Sequence, residues 1–148
     1  MRLKVLVADD EPLAREGLKR LLGRQAQVES VSEARNGREA IGLIRDQKPD
    51  LVLLDVQMPR TDGFAVVHAI GADCMPPVIF VTAHDQYAIR AFEIAAIDYL
   101  LKPVTADEIQ HALVGIVAFA GRNTRSLLLV DGDETNRARI LDLLGNTD

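Results

Sequence analysis

The sequence predicts a doubly wound α/β domain, a parallel sheet with helices on both faces. Five short apolar runs recur, at 3–8, 28–33, 51–55, 78–83 and 98–102. The first, third, fourth and fifth are near-continuous Val, Ile and Leu, the pattern of strands buried on both faces. Each run is followed by a stretch with helical start and stop signals. Alternating β and α elements imply right-handed crossovers within one parallel sheet.

Length and composition set the frame. The 148 residues suffice for one domain of about 120 residues and a short appendage. An apolar content of 48% is enough for a core. The net charge of −5 argues against nucleic acid or an anionic membrane as a partner of this chain. Cys74 is the single cysteine, so no disulfide framework is expected, which fits a reducing cytosol. The start, MRLKVLVADDEP, meets acids too early for a secretory leader. No apolar stretch nears the roughly 18 residues a membrane span needs. The expected location is cytoplasmic.

Strand 1 is LKVLVA (3–8). Pro12 fits the first turn of a helix over about 11–22, Gly23 fits its end, and Leu18, Leu21 and Leu22 form its core stripe. Strand 2, VESVSE (28–33), alternates as an edge strand does. Asn36-Gly37 opens the second helix, which ends near Lys48-Pro49. Strand 3 is LVLLD (51–55). Thr61-Asp62-Gly63 opens a third helix closing near Gly71. A loop at Cys74-Met75-Pro76-Pro77 precedes strand 4, VIFVTA (78–83). Ala88 to Ile94 supports a short fourth helix. Strand 5 is DYLLK (98–102), and Thr105 caps a fifth helix to about Ala120.

In such sheets the functional crevice lies outside the carboxyl ends of the strands. Strand 1 ends in Asp9-Asp10-Glu11, strand 3 in Asp55, strand 4 in Thr82-Ala83-His84 and strand 5 in Lys102-Pro103. Parallel strands bring these ends to one edge. Clustered carboxylates repel, so some are protonated or a cation neutralises them. Oxygen ligands without His or Cys favour Mg²⁺, which keeps coordination positions for water and phosphate oxygens. Lys102 adds a positive charge and Thr82 a hydroxyl donor, suited to the oxygens of a transferring phosphoryl group. Asp55, alone at a central strand end, is the candidate nucleophile. Asp9 and Asp10 are better placed for the metal. Taken singly, the acids read equally as solvated groups at a helix N-terminus, Asp55 as a loop cap, Lys102 as a surface lysine and Thr82 as a turn residue. Their joint placement at four strand ends favours the phosphoryl site.

VADDEP (7–12), LLDVQMPRTDG (53–63), VTA (81–83) and DYLLKP (98–103), in this order, resemble the receiver domain of two-component response regulators over residues 1–121. The resemblance implies a flavodoxin-like sheet of strand order 2-1-3-4-5. It implies that Asp55 accepts phosphate from a sensor histidine kinase or phosphotransfer protein. Asp10 would bind Mg²⁺ directly, Asp9 mainly through water, and Asp55 and the Gln57 carbonyl would complete the metal ligands. Thr82 and Lys102 would hold the phosphoryl oxygens. Tyr99 would be an aromatic switch following Thr82, and Lys102-Pro103 a cis peptide. The side chains of Gln57 and His84 would tune phosphoryl lifetime. The segment 81–104 is similar to receivers that precede a LytTR-type DNA-binding domain, the AlgR-like subfamily. The output would be control of transcription, with a homodimer through the helix 4–strand 5–helix 5 face or the tail.

Two other functions compete. An aspartyl-nucleophile phosphatase of the haloacid-dehalogenase type needs an acid two residues after its nucleophile, and Gln57 stands there. An unphosphorylated scaffold or phosphate sink would more readily show a damaged pocket. The reading is therefore a self-phosphorylating switch with at most slow autodephosphorylation, not a turnover enzyme. Residues 122–148 exceed a receiver. LVDGDET (129–135) lines up with LVADDEP (6–12), so the tail reads as a linker or as the first strand–helix unit of a truncated second domain. Its Leu127–Val130 run is expected to pair with a sheet edge or a partner.

Overall fold

A computed structural model describes residues 2–94 and 96–122, without the side chains of 92 and 118–122. The tail, and with it the expected strand at 127–130, lies outside the described residues.

Five strands alternate with five helices: β1 (Leu3–Ala8), α1 (Pro12–Gly23), β2 (Val28–Ala34), α2 (Gly37–Gln47), β3 (Leu51–Leu54), α3 (Gly63–Ile70), β4 (Val78–Thr82), α4 (Ala88–Glu93), β5 (Asp98–Leu101) and α5 (Ala106–Arg122). A 3₁₀ turn at Asp85–Tyr87 leads into α4. The sheet order is β2-β1-β3-β4-β5, and every pairing is parallel. This is the flavodoxin-like arrangement, with its switch point between β1 and β3.

Residues alternate across each strand and separate the core into two layers. Leu6, Ala8, Val52, Leu54 and Phe80 face α2, α3 and α4, meeting Ile44, Phe64, Val67 and Ala91. Val5, Val7, Leu53, Ile79 and Val81 face α1 and α5, meeting Leu18, Leu22, Ile109 and Ile116. Both faces of the central strands are covered, which is why their sequences are continuously apolar rather than alternating.

Local signals hold in detail. Pro12 sits in the first turn of α1. The Asn36 and Asp62 side chains accept from the third backbone N–H of α2 and α3, at 2.8 Å each. Thr105 and Glu108 cap α5 reciprocally: Glu108 N–H donates to Thr105 Oγ1 at 3.1 Å, and Thr105 N–H to Glu108 Oε1 at 3.2 Å. Lys48 ends α2 with φ 47°, the left-handed conformation.

Candidate functional site

Backbone pairing delivers the strand-end residues. Asp9 N–H donates to Ala34 O at 3.1 Å, Asp55 N–H to Ala8 O at 2.9 Å and Lys102 N–H to Thr82 O at 2.9 Å. Asp55 and Lys102, expected inside strands 3 and 5, are thus the first residues past β3 and β5 while still hydrogen-bonded to their neighbours. Gly63 secures Asp55 from behind. Its N–H donates to Val56 O at 2.9 Å, and a Cβ there would lie 2.5 Å from the Asp55 carbonyl oxygen. Only glycine lets α3 start this close.

Asp9 and Asp55 are buried, at 1% and 5% exposure. Lys102 Nζ lies 2.7 Å from Asp9 Oδ2, 3.1 Å from Asp55 Oδ2 and 3.7 Å from Glu11 Oε1. One ammonium thus joins the ends of β1, β3 and β5. The other carboxylate oxygens accept backbone donors, Asp9 Oδ1 from Glu11 N–H at 2.9 Å and Asp55 Oδ1 from Gln57 N–H at 3.1 Å.

Burial pushes the Asp55 carboxyl above its usual range, and the Asp9 charge adds to this; Lys102 and the Gln57 N–H oppose it. Burial works against the Lys102 charge, yet the close contact with the Asp9 carboxylate and the negative charges of Asp55 and Asp9 outweigh it, so its pKa is raised and it stays an ammonium.

Asp9, Asp10, Glu11 and Asp55 each place a carboxylate oxygen within 4.8 Å of the others. A single lysine facing four acids leaves excess negative charge. Asp9 Oδ2 is buried without a hydrogen-bond donor directed at it; Lys102 reaches it by charge at 2.7 Å, outside hydrogen-bond angles. An all-oxygen, incompletely neutralised cluster fits a hard divalent cation.

A cleft of about 450 Å³ opens over this cluster, lined by Asp10, Glu11, Asp55, Gln57, Thr82, His84, Tyr87, Arg90 and Lys102 among others. Thr82 is fully buried, and its Oγ1 accepts from His84 N–H at 3.4 Å. Tyr99 is not a lining residue. It is buried, with its hydroxyl donating to the His84 carbonyl, and burial raises its phenol pKa. All eight residues singled out in the sequence thus gather at one sheet edge, with Tyr99 behind the β4–α4 loop. Lys102-Pro103 is cis.

Some participants escaped sequence reasoning. Glu11, which in the sequence is no more than the end of the acidic run, faces Lys102 at 3.7 Å. Arg15 is buried, donating to the Asp9 carbonyl at 2.8 Å and to Glu33 Oε1 at 3.1 Å. It lies on the buried stripe of α1 with Leu18 and Leu22, and a cation at helical spacing on an apolar stripe was the available signal. Tyr87 and Arg90 also line the cleft, and Arg90 lies over the Phe64 ring at 4.3 Å. No local pattern marked them.

Fold and crevice together place the protein in the class of doubly wound α/β domains with an acidic site at the carboxyl edge of the sheet. A family model narrows that class: residues 5–114 match the response regulator receiver domain, and the chain belongs to that family. Among curated proteins it is similar to the transcriptional regulatory protein BtsR of Salmonella typhi, 47% identical over 111 residues, 75% of this chain and 46% of that protein. The chain therefore spans about half the length of this relative. Similar solved structures include the receiver domain of AraT, a response regulator from Geobacillus stearothermophilus, with TM-score 0.73 and 28% identity over 83% of this chain and 98% of that one. Another is a two-component response regulator of the LuxR family from Aurantimonas, with TM-score 0.72 and 30% identity over 80% and 86%. The protein is thus a two-component receiver domain related to transcriptional regulators. Among the described residues, no helix is long and apolar enough to cross a membrane.

Proposed function

We propose that this chain accepts a phosphoryl group on Asp55 from a sensor histidine kinase or phosphotransfer protein, in a Mg²⁺-dependent reaction in the cytoplasm, and thereby switches an effector that controls transcription. The observation that carries the reading is the Lys102 ammonium bridging buried Asp9 and Asp55. That arrangement stabilises structure poorly but suits a site that receives further negative charge.

Asp9, Asp10, Asp55 and the Gln57 carbonyl would hold Mg²⁺, which when bound neutralises the acids and the incoming phosphoryl oxygens. The chain's own groups do the rest. An Asp55 carboxylate oxygen forms a bond to phosphorus in line with the departing imidazole nitrogen. The P–N bond breaks and its electron pair stays on the imidazole. Lys102 shifts its hydrogen bonds from the carboxylates to the phosphoryl oxygens, and Thr82 donates its hydroxyl to another.

The product adds roughly −1.5 to −2 charges to the pocket, following the usual rule for phosphorylation. Drawing Thr82 toward that charge moves the β4–α4 loop. Tyr99 is bonded to that loop at His84, so the change passes to β5 and to the face of α4, β5 and α5. That face is the expected homodimer surface. The similarity of 81–104 to LytTR-associated receivers, together with the name of the BtsR relative, supports a transcriptional output; the net charge of −5 argues against nucleic acid as a direct partner of this chain.

Treatment with acetyl phosphate and Mg²⁺, followed by intact-mass analysis, tests the assignment. One phosphoryl is expected on the wild type and none on Asp55→Ala. A label that persists in Asp55→Ala would place the chemistry elsewhere, and steady phosphate release from generic esters would make the protein a phosphatase.

A further inference from the structure

Two loops wall the cleft above Asp55. The loop after β3 contributes Gln57, and the loop after β4 contributes His84 and Tyr87. One side-chain hydrogen bond joins them: Gln57 Nε2 donates to Tyr87 Oη at 2.9 Å, between residues 30 positions apart. The Tyr87 ring is held edge-on against Phe64, with centroids 6.1 Å apart, and against His84, at 6.2 Å. Its hydroxyl is therefore a fixed acceptor on a braced ring. A Gln side chain with no such partner samples several rotamers. Here its carboxamide is tied across the mouth of the cleft.

We propose that Tyr87 is a positioning residue acting through Gln57: it holds the carboxamide across the cleft mouth and so lengthens the life of the acyl phosphate. The inference rests on Asp55 being the phosphoacceptor. In hydrolysis, a water oxygen bonds to phosphorus in line with the Asp55 oxygen. The P–O bond to Asp55 breaks, its electron pair returns to the carboxylate, and the water proton passes to solvent, leaving inorganic phosphate. Water must reach the phosphorus from the face open to the cleft. A macromolecular donor can spend binding energy displacing one exposed hydrogen bond, whereas a water molecule has none to spend. The latch therefore discriminates against hydrolysis more than against phosphoryl uptake from a partner.

The test uses the full chain. It is phosphorylated with acetyl phosphate and Mg²⁺, freed of donor, and followed by intact mass as the label decays. Tyr87→Phe keeps the ring and removes only the hydroxyl. Decay about two- to fivefold faster is expected, the size one neutral hydrogen bond conveys. In a Gln57→Ala background the same substitution should add nothing, because its partner is already gone. Wild-type decay in Tyr87→Phe would overturn the inference, leaving the ring a packing element alone. An equal acceleration with and without Gln57 would also overturn it. Either failure leaves the phosphoacceptor assignment standing, since the wild type still takes the label. A wild type that takes no label removes that assignment and this inference together.

Discussion

At the carboxyl end of the sheet, β1 and β3 run out into Asp9 and Asp55, buried beside one lysine. At the amino end, the same layers close on Leu3, Ile44, Ile70, Met75, Pro77 and Ile116 around a groove of about 600 Å³, larger than the acidic cleft at about 450 Å³. The larger hollow is lined mainly by carbon, with Arg45, Lys48 and Asp50 among its few charges. The smaller one holds charges taken out of water and aimed at each other. Volume and charge part company: the larger hollow is mostly apolar, and the desolvated charge gathers in the smaller. The amino end contributes hydrophobic burial. The carboxyl end gives up stability, because burial and the Asp9 charge make ionised Asp55 unfavourable.

Substitutions at the two ends should therefore have opposite signatures. The largest effect is expected from Lys102→Ala, which strips the only side-chain cation within 4 Å of the Asp9 and Asp55 carboxylate oxygens among the described residues. Phosphoryl uptake should slow by about 10²-fold or more, as when a single oxyanion donor is removed elsewhere. Wild-type uptake, measured by intact mass over time, would dissolve the contrast between the ends.

Ile116→Ala attacks the other end. Ile116 is buried at 2% exposure, and its truncation should cost about 2–4 kcal/mol in denaturant unfolding. Phosphoryl uptake per folded molecule should be unchanged. A parallel loss of uptake would mean that the two ends are coupled through the sheet.

Asp55→Asn sharpens the stability side. A folded-state pKa raised above the unfolded value contributes stability at low pH that is lost as pH rises through the folded pKa. At pH 7 ionised Asp55 is therefore a liability, and the neutral amide should raise Tm. The gain should shrink as pH falls toward the ordinary carboxyl value of 3.8. A lower Tm at pH 7 would show that the contact with Lys102 outweighs burial.

The smallest effect belongs to neither end. Glu39 accepts from the Arg35 guanidinium and backbone N–H at the start of α2, and these bonds lower its pKa to about 2. A lowered carboxyl stabilises above its unfolded value of 4.5 and loses that contribution as pH falls toward about 2. Glu39→Gln should reduce Tm slightly at pH 7, with the difference vanishing in acid. A difference independent of pH would make the side chain a cap by shape rather than by charge.

The strands were legible because burial on both faces writes continuous apolar runs, and the caps because Asn36, Asp62 and Thr105 act on backbone only three residues away. Asp9, Asp55, Thr82 and Lys102 were legible because parallel strands share one carboxyl edge whatever their lateral order. Arg15 was missed because a salt-bridged cation on a core stripe looks like an interruption of it. Tyr87 was missed because nothing local distinguishes a tyrosine beside a cleft from one on any loop.

By itself the sequence determined the alternation of strands and helices, where each begins, and which residues stand at the strand ends. These follow from periods of two and 3.6 residues and from short-range hydrogen bonds. Only the tertiary structure decided that Lys102 reaches Asp55 across 47 residues and that Tyr87 reaches Gln57 across 30. Such contacts depend on lateral strand order, register and loop path, which arise when distant segments pack and which no local pattern encodes.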